Sequence, residues 1–257
     1  GEVMRLNTKN QRFFLPWEHL LPRSIVTNKN GHLVFGVQKS GTSVIANTLA
    51  YCSKKSLTLD HASFWPTLRM SSLDKSLYVA RLFERHPLSL GSTFIKEPCM
   101  TISPEVFKRH RPNKCILVIR DPLDTARSIL DRLNVPIESK VLNLDSIPAT
   151  WQDLFLQTSK NEPPFIRLIE YWCMCMDNTF WHDSDVIRVH YEQFMSNPDD
   201  IVKSVLNSLE LNYKRPASEV IQIQVQPRGK NRNRRVHDLV PSQMLQQAEN
   251  LSGDIYS

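Results

Sequence analysis

Apolar positions along the 257-residue chain follow two rhythms. Short continuous runs have the length and flanks of buried strands: HLVFGV (32–37), LTLD (57–60), STFIK (92–96) and KCILVIR (114–120). DVIRVH (185–190) alternates less cleanly and also reads as a strand. Between these runs, apolar residues recur at helical spacing. Val44-Ile45 with Thr48-Leu49 form one such segment and Leu73–Arg85 another, followed by the mostly apolar Phe165–Trp181 and the amphipathic, capped Asn197–Leu211. Strands alternating with helices predict a three-layer α/β/α fold around a central parallel sheet.

Local punctuation sharpens the picture. Asp121 after KCILVIR suits a helix N-cap, with Pro122 at the first helical position and Asp124 in the first turn. The stretch Pro136–Pro164 is loop-rich with mixed helical turns, which suits a binding-site wall better than a second domain. With no repeat and no low-complexity region, a single domain over 1–257 is expected, with its core at about 30–212 and a basic C-terminal lid or tail at 213–257.

Composition narrows the partners. A net charge of +6 with a pI near 9.1 favours anionic ligands without naming one. Five cysteines without regular spacing argue against a disulfide framework, and Cys173 and Cys175 form only a CxC, too little for zinc. No apolar run approaches the ~20 residues a membrane span requires, and GEVMRLNTKNQRFFLPW has no signal-peptide core. The expectation is a cytoplasmic protein with no membrane partner and no metal.

The candidate chemistry begins in GVQKSGTSVIANTLA, residues 36–50. Gly36 and Gly41 have the spacing of the nucleotide-binding loop GxxxxGKS or GxxxxGKT, yet Thr42 and Ser43 stand where that motif has its Lys and Ser/Thr. The lysine, Lys39, lies inside the loop instead. Loop amides and a following helix N-terminus hold an anion, with Lys39, Ser40, Thr42 and Ser43 adding donors; a plain Gly turn before a helix stays open. Arg120 at the end of KCILVIR and Ser128 two turns into the next helix form a second anion clamp, unless Arg120 simply pairs with Asp124.

Together these motifs resemble the sulfotransferase family that uses 3′-phosphoadenosine 5′-phosphosulfate (PAPS). VQKSGTS is similar to that family's 5′-phosphosulfate loop, and RDPLDTARS to its 3′-phosphate signature, with Arg120, Pro122, Asp124 and Ser128 in register. YEQF (191–194) looks like the family's tyrosine-acid pair, and PRGK (227–230) like a degenerate C-terminal basic loop.

The resemblance implies a P-loop NTPase-like fold, PAPS as donor with PAP as product, and no metal. It makes Lys39 the cation on the departing nucleotide's bridging oxygen. Ser40, Gly41, Thr42 and Ser43 become phosphosulfate ligands, and Arg120 with Ser128 the 3′-phosphate clamp. Arg228, Gly229 and Lys230 form a lid, while Tyr191 is open between a place near the adenine and an ordinary core position.

The family's histidine base is missing from IKEPCMTISP (95–104). Glu97, beside Lys96, is the first candidate base and His61 the second. An unperturbed glutamate base would give an acid limb near ~4.3 and a histidine one near ~6.5. The acceptor implied is a small molecule or natural product with a hydroxyl or amino group. Two rivals remain at this point: a P-loop kinase, and a non-enzymatic anion or nucleic-acid module using RGKNRNRR (228–235). The sequence does not set the oligomeric state.

Overall fold

The computed structural model describes residues 29–221 and 234–256, together with 11, 12, 17, 20 and 21. Among the described residues six strands form one sheet in the order β1-β3-β4-β2-β5-β6, and every pairing is parallel. They are β1 (Gln11–Arg12), β2 (His32–Phe35), β3 (Leu57–Leu59), β4 (Phe94–Lys96), β5 (Cys115–Ile119) and β6 (Val186–His190). The helices are α1 (Thr42–Ser53), α2 (Ser72–Arg85), α3 (Pro104–Lys108), α4 (Pro122–Leu133), α5 (Ala149–Gln152), α6 (Pro164–Met176), α7 (Tyr191–Ser196), α8 (Pro198–Ser208) and α9 (Ser242–Tyr256). Five strands follow the apolar runs; β1, only two residues long, has no sequence signal.

Side chains alternate across the sheet, as strand geometry requires. Val34, Ile116 and Val118 pack with Ile45 and Leu49 of α1 and Val202 and Leu206 of α8. Leu33, Phe35 and Leu117 pack on the other face with Val79 and Phe83 of α2 and Phe107 of α3. This gives the three expected layers. A third cluster joins Leu123 and Ile129 of α4 to Phe165, Ile169 and Trp172 of α6.

Two expectations change. The apolar segment 165–181 does not continue as one helix: α6 stops at Met176. Asn178 caps a separate turn by accepting from the Phe180 amide at 2.9 Å, and the Trp181 indole donates to the Cys175 carbonyl at 2.8 Å. A side-chain donor there satisfies a carbonyl that a longer helix would have used. The second change lies in the stretch read as lid or tail. Its residues 234–256 pack onto the α4–α6 cluster through Val236, Val240 and Ala248, and Tyr256 meets Trp172 edge-on at 6.1 Å. No helix among the described residues is long and apolar enough to cross a membrane.

β2 lies between β4 and β5; from β2 the chain runs outward to β3 and back to β4, and then crosses β2 to β5 and on to β6. The connections therefore diverge at the carboxyl ends of β2 and β5, the place where open parallel sheets form ligand crevices. The loops after β2, β4 and β5 share that edge.

Candidate active site

The loop after β2 is held by its neighbours in four places. Gly36 has φ 154°, and a Cβ there would lie 2.4 Å from Thr42 Cγ2 and 2.9 Å from the Val118 carbonyl, so only glycine fits. Its amide donates to Thr101 Oγ1 at 2.8 Å, and that hydroxyl donates back to the Gly36 carbonyl at 2.9 Å. Gly41, at φ 91°, lies beneath the Tyr191 ring, where a Cβ would come within 2.2 Å of Cδ2. Tyr171, buried in α6, donates to Gln38 Oε1 at 3.2 Å. Arg120 Nη1 donates to the Lys39 carbonyl at 2.9 Å.

Between these anchors Lys39 takes a left-handed conformation, φ 66°, unusual for a long side chain. Strain of this kind persists only where the surroundings enforce it, and it gathers at functional sites. The Lys39 ammonium has a pKa below the usual lysine value, chiefly through burial and then through Arg132, Arg120 and Lys96, with Asp131 opposing. Arg132, Arg120 and Lys96 thus lie near enough to Lys39 to act on its charge, and a positive cluster of this kind favours anions.

The two helix N-termini at this edge differ. At α4, Asp121 Oδ1 accepts from the Leu123 and Asp124 amides at 2.8 and 3.0 Å. At α1 no side chain caps the terminus and its first turn holds no acid. The α1 end therefore keeps its positive dipole for an anion.

Arg120 does not pair with Asp124, which binds Arg127 at 3.1 Å. Its guanidinium instead lies over the Tyr191 ring, 4.6 Å from the centroid. Glu192 next door accepts the Asp121 amide at 3.0 Å, tying the end of β6 to the end of β5. Ser128 is half-buried on α4, two turns beyond Arg120. Lys39, Ser40, Gly41, Thr42, Ser43, Arg120 and Tyr191 thus gather at one edge. Arg228, Gly229 and Lys230 lie outside the described residues.

Glu97 follows β4 at the same edge and is 1% exposed. The neighbouring Lys96 turns to Asp60, with Nζ 2.6 Å from Oδ1, and Glu97 has no ion pair among the described residues. Glu97 Oε1 accepts from the Cys99 amide at 3.3 Å, and Oε2 has no hydrogen-bond partner among the described residues. Burial pushes its pKa up to about 7; Lys96 pulls against this and Asp60 adds to it.

His61 is equally buried, with Nε2 3.1 Å from Ser89 Oγ and its ring 5.0 Å from that of His86. Burial and then His86 depress its pKa to about 4. The unfolded chain therefore binds this proton more readily, so the stabilisation is complete above pH 6.5 and is lost as pH falls toward 4. Denaturant melts should lose about 2 kcal/mol between pH 8 and pH 5 from this group alone. His61→Phe should flatten that slope; an unchanged slope would refute the buried neutral imidazole.

Sequence reasoning missed Thr101, Gln38 and Tyr171. Each acts through a contact with a residue remote in the chain; Gln38 lies inside the loop motif but at a position the motif leaves open, and Thr101 and Tyr171 lie outside the nucleotide motifs. All five cysteines are free thiols, and no group of three or more His, Cys, Asp or Glu among the described residues could hold a metal.

A parallel α/β sheet whose switch point carries a glycine loop, an uncapped helix and clustered cations defines an anion- or nucleotide-handling protein of the P-loop-like class. The particular kind follows from comparison: the sulfotransferase domain model matches residues 29–232, and the chain belongs to the sulfotransferase family. It is therefore an enzyme of sulfuryl transfer.

Solved sulfotransferases share the fold at low identity. One from Mycobacterium avium, STF9, is 13% identical, with 93% of this chain and 78% of that chain covered and a TM-score of 0.53. The mouse sulfotransferase SULT7A1, complexed with PAP, is 14% identical over 90% of this chain and 85% of that one, TM-score 0.54. The sulfotransferase domain from the curacin biosynthetic pathway is 11% identical over 87% and 96%, TM-score 0.52. No curated protein matches the sequence.

Proposed function

We propose that the enzyme moves a sulfuryl group from PAPS to a hydroxyl or amino group of a small-molecule acceptor. The observation that carries this reading is the loop after β2. An uncapped helix N-terminus there meets a strained Lys39 whose carbonyl is held by Arg120. The mouse neighbour's complex with PAP supports the same nucleotide.

The buried polar groups at this edge fit such a ligand. Ser40 Oγ and Arg120 Nε are buried without a hydrogen-bond partner among the described residues. Buried donors of this kind cost free energy unless something accepts from them, and phosphate oxygens would. Lys39, Ser40, Gly41, Thr42 and Ser43 would hold the phosphosulfate, and Arg120 with Ser128 the 3′-phosphate. Tyr191 would face the nucleoside, and Arg228, Gly229 and Lys230 would close over it.

When bound, the donor supplies an SO₃ unit activated on its 5′-phosphate. Lys39 would set a positive charge beside the phosphosulfate linkage such a donor carries, where negative charge develops on transfer. Glu97 Oε2 takes the proton from the acceptor atom that bonds to sulfur. A carboxylate with a pKa about 7 is half ionised near neutrality, matched to that task. His61, depressed to about 4 and packed against Ser89 and His86, is the weaker base, so the role goes to Glu97.

The deciding experiment is nucleotide binding. PAP held at 100 times its dissociation constant should stabilise the protein by ~2.7 kcal/mol, whereas AMP, lacking the 3′-phosphate, should give little shift at the same concentration. Equal shifts with both would remove the 3′-phosphate clamp and the PAPS reading with it.

A further inference from the structure

Glu97 sits at the start of a tight turn, Pro98–Met100, whose proline has the fixed φ that such a first position suits. Its carboxyl caps that turn by accepting from the Cys99 amide at 3.3 Å. Capping draws the carboxyl and the Cys99 side chain together, and Cys99 is only 6% exposed. Charge and hydrogen bonding from Glu97 act on the thiol, and hydrogen bonding from the thiol acts on Glu97.

The stronger donors that influence this turn are engaged elsewhere. Lys96 on β4 reaches Asp60 at 2.6 Å, and Asp60 in turn adds its charge against Glu97. Lys75 on α2 is close enough to feel Cys99, yet it donates to Ser103 Oγ at 2.7 Å. Tyr171 on α6, also within reach of Cys99, donates to Gln38. The remaining acid that acts on the thiol, Asp153, is paired with Arg69 at 2.6 Å.

The thiol does not compete with Glu97 for the proton. Burial, then the charge of Glu97 and hydrogen bonding to it, raise the thiol pKa well above the ordinary value. Cys99 therefore stays S–H wherever Glu97 titrates, a donor and no nucleophile. The S–H hydrogen rotates about the Cβ–Sγ bond, and an ionised carboxylate accepts more strongly than a neutral carboxyl.

We propose that Cys99 is a positioning residue for the base: its thiol turns to the Glu97 carboxylate as that group ionises, donating a hydrogen bond that steadies the form able to take the acceptor's proton. The proposal rests on the reading of Glu97 as the base. One residue then serves the carboxylate twice, through an amide that any residue supplies and through a thiol that is particular to this position.

The test is an infrared pH titration of the full chain without nucleotide. Loss in Glu97→Gln identifies the Glu97 carboxyl band, and loss in Cys99→Ala identifies the Cys99 S–H band. The S–H stretch should move to lower frequency as Glu97 ionises, with the carboxyl's own midpoint at about 7. In Cys99→Ala that midpoint should rise by about 0.5–1 pH unit, one weak hydrogen bond's worth. In Cys99→Ser the hydroxyl should return it to the parent value or below. Melting curves show whether the variants fold; if Cys99→Ala does not, the parent's pH-dependent S–H band, static in Glu97→Gln, decides the matter. A carboxyl midpoint unmoved in Cys99→Ala would overturn the proposal, as would a serine variant displaced like the alanine one or an S–H band indifferent to pH. Failure of the base reading has its own mark, full turnover in Glu97→Gln, and would take the proposal with it.

Discussion

Lys39→Ala should lower turnover by at least ~10²-fold at saturating PAPS while leaving the thermal shift with PAP largely in place. The side chain belongs to a loop whose path is fixed by other residues. Thr101 clips Gly36, Tyr171 holds Gln38 and Arg120 holds the Lys39 carbonyl, so truncation removes a charge without releasing the backbone. Alanine also tolerates φ 66° no worse than lysine does. The loss should appear in kcat more than in donor affinity, since the charge acts on the bond that breaks. Single-turnover and steady-state rates separate the two effects. Near-normal kcat in Lys39→Ala would transfer the role to another cation, Arg132 or Arg120 being the ones closest by charge.

Glu97→Gln should cost ~10²–10⁴ in turnover, again with PAP binding retained. The pH profile gives an independent reading of the same residue. A base must be ionised, so activity should fall as pH drops through about 7, the value to which burial raises Glu97. The stability effect runs the other way. The folded state favours the protonated carboxyl, so its contribution is present below 4.5 and is lost as pH rises through about 7. At pH 8 Glu97→Gln should therefore melt no lower than the parent, whereas a carboxylate with a structural role would show a loss. Full activity in Glu97→Gln together with an inert His61→Ala would return the base to the histidine.

That profile reverses what model-compound values imply. From the residue types alone, an acid limb near ~6.5 means histidine and one near ~4.3 means glutamate. In the folded chain the glutamate stands at about 7 and the histidine at about 4. Both shifts arise mainly from burial, which depends on what packs above Glu97 and around His61, and no local pattern encodes that. Five strands, the switch-point loop and Arg120 were legible because they rest on short apolar runs, glycine spacing and a cap at Asp121. The turn from α6 to Trp181 was not, because it depends on one indole finding one carbonyl. Nor was the partner of Lys96: adjacency proposes Glu97, while the register of β3 with β4 sets Leu59 opposite Lys96 and brings Asp60 within 2.6 Å.

The braces on the loop after β2 also bear on how the chain acquires activity during folding. The Thr101 clip spans 65 residues of sequence, the Arg120 bond 81 and the Tyr171 bond 133. Each brace can close only after the strands between its ends have paired, and such long-range closures are the slow events of parallel-sheet assembly. A nascent or partly refolded chain would therefore hold α1 and much of the sheet before Lys39 reaches its left-handed turn. Competence for sulfuryl transfer is then a late property of the whole sheet, gained cooperatively and lost early when any one of its distant braces loosens.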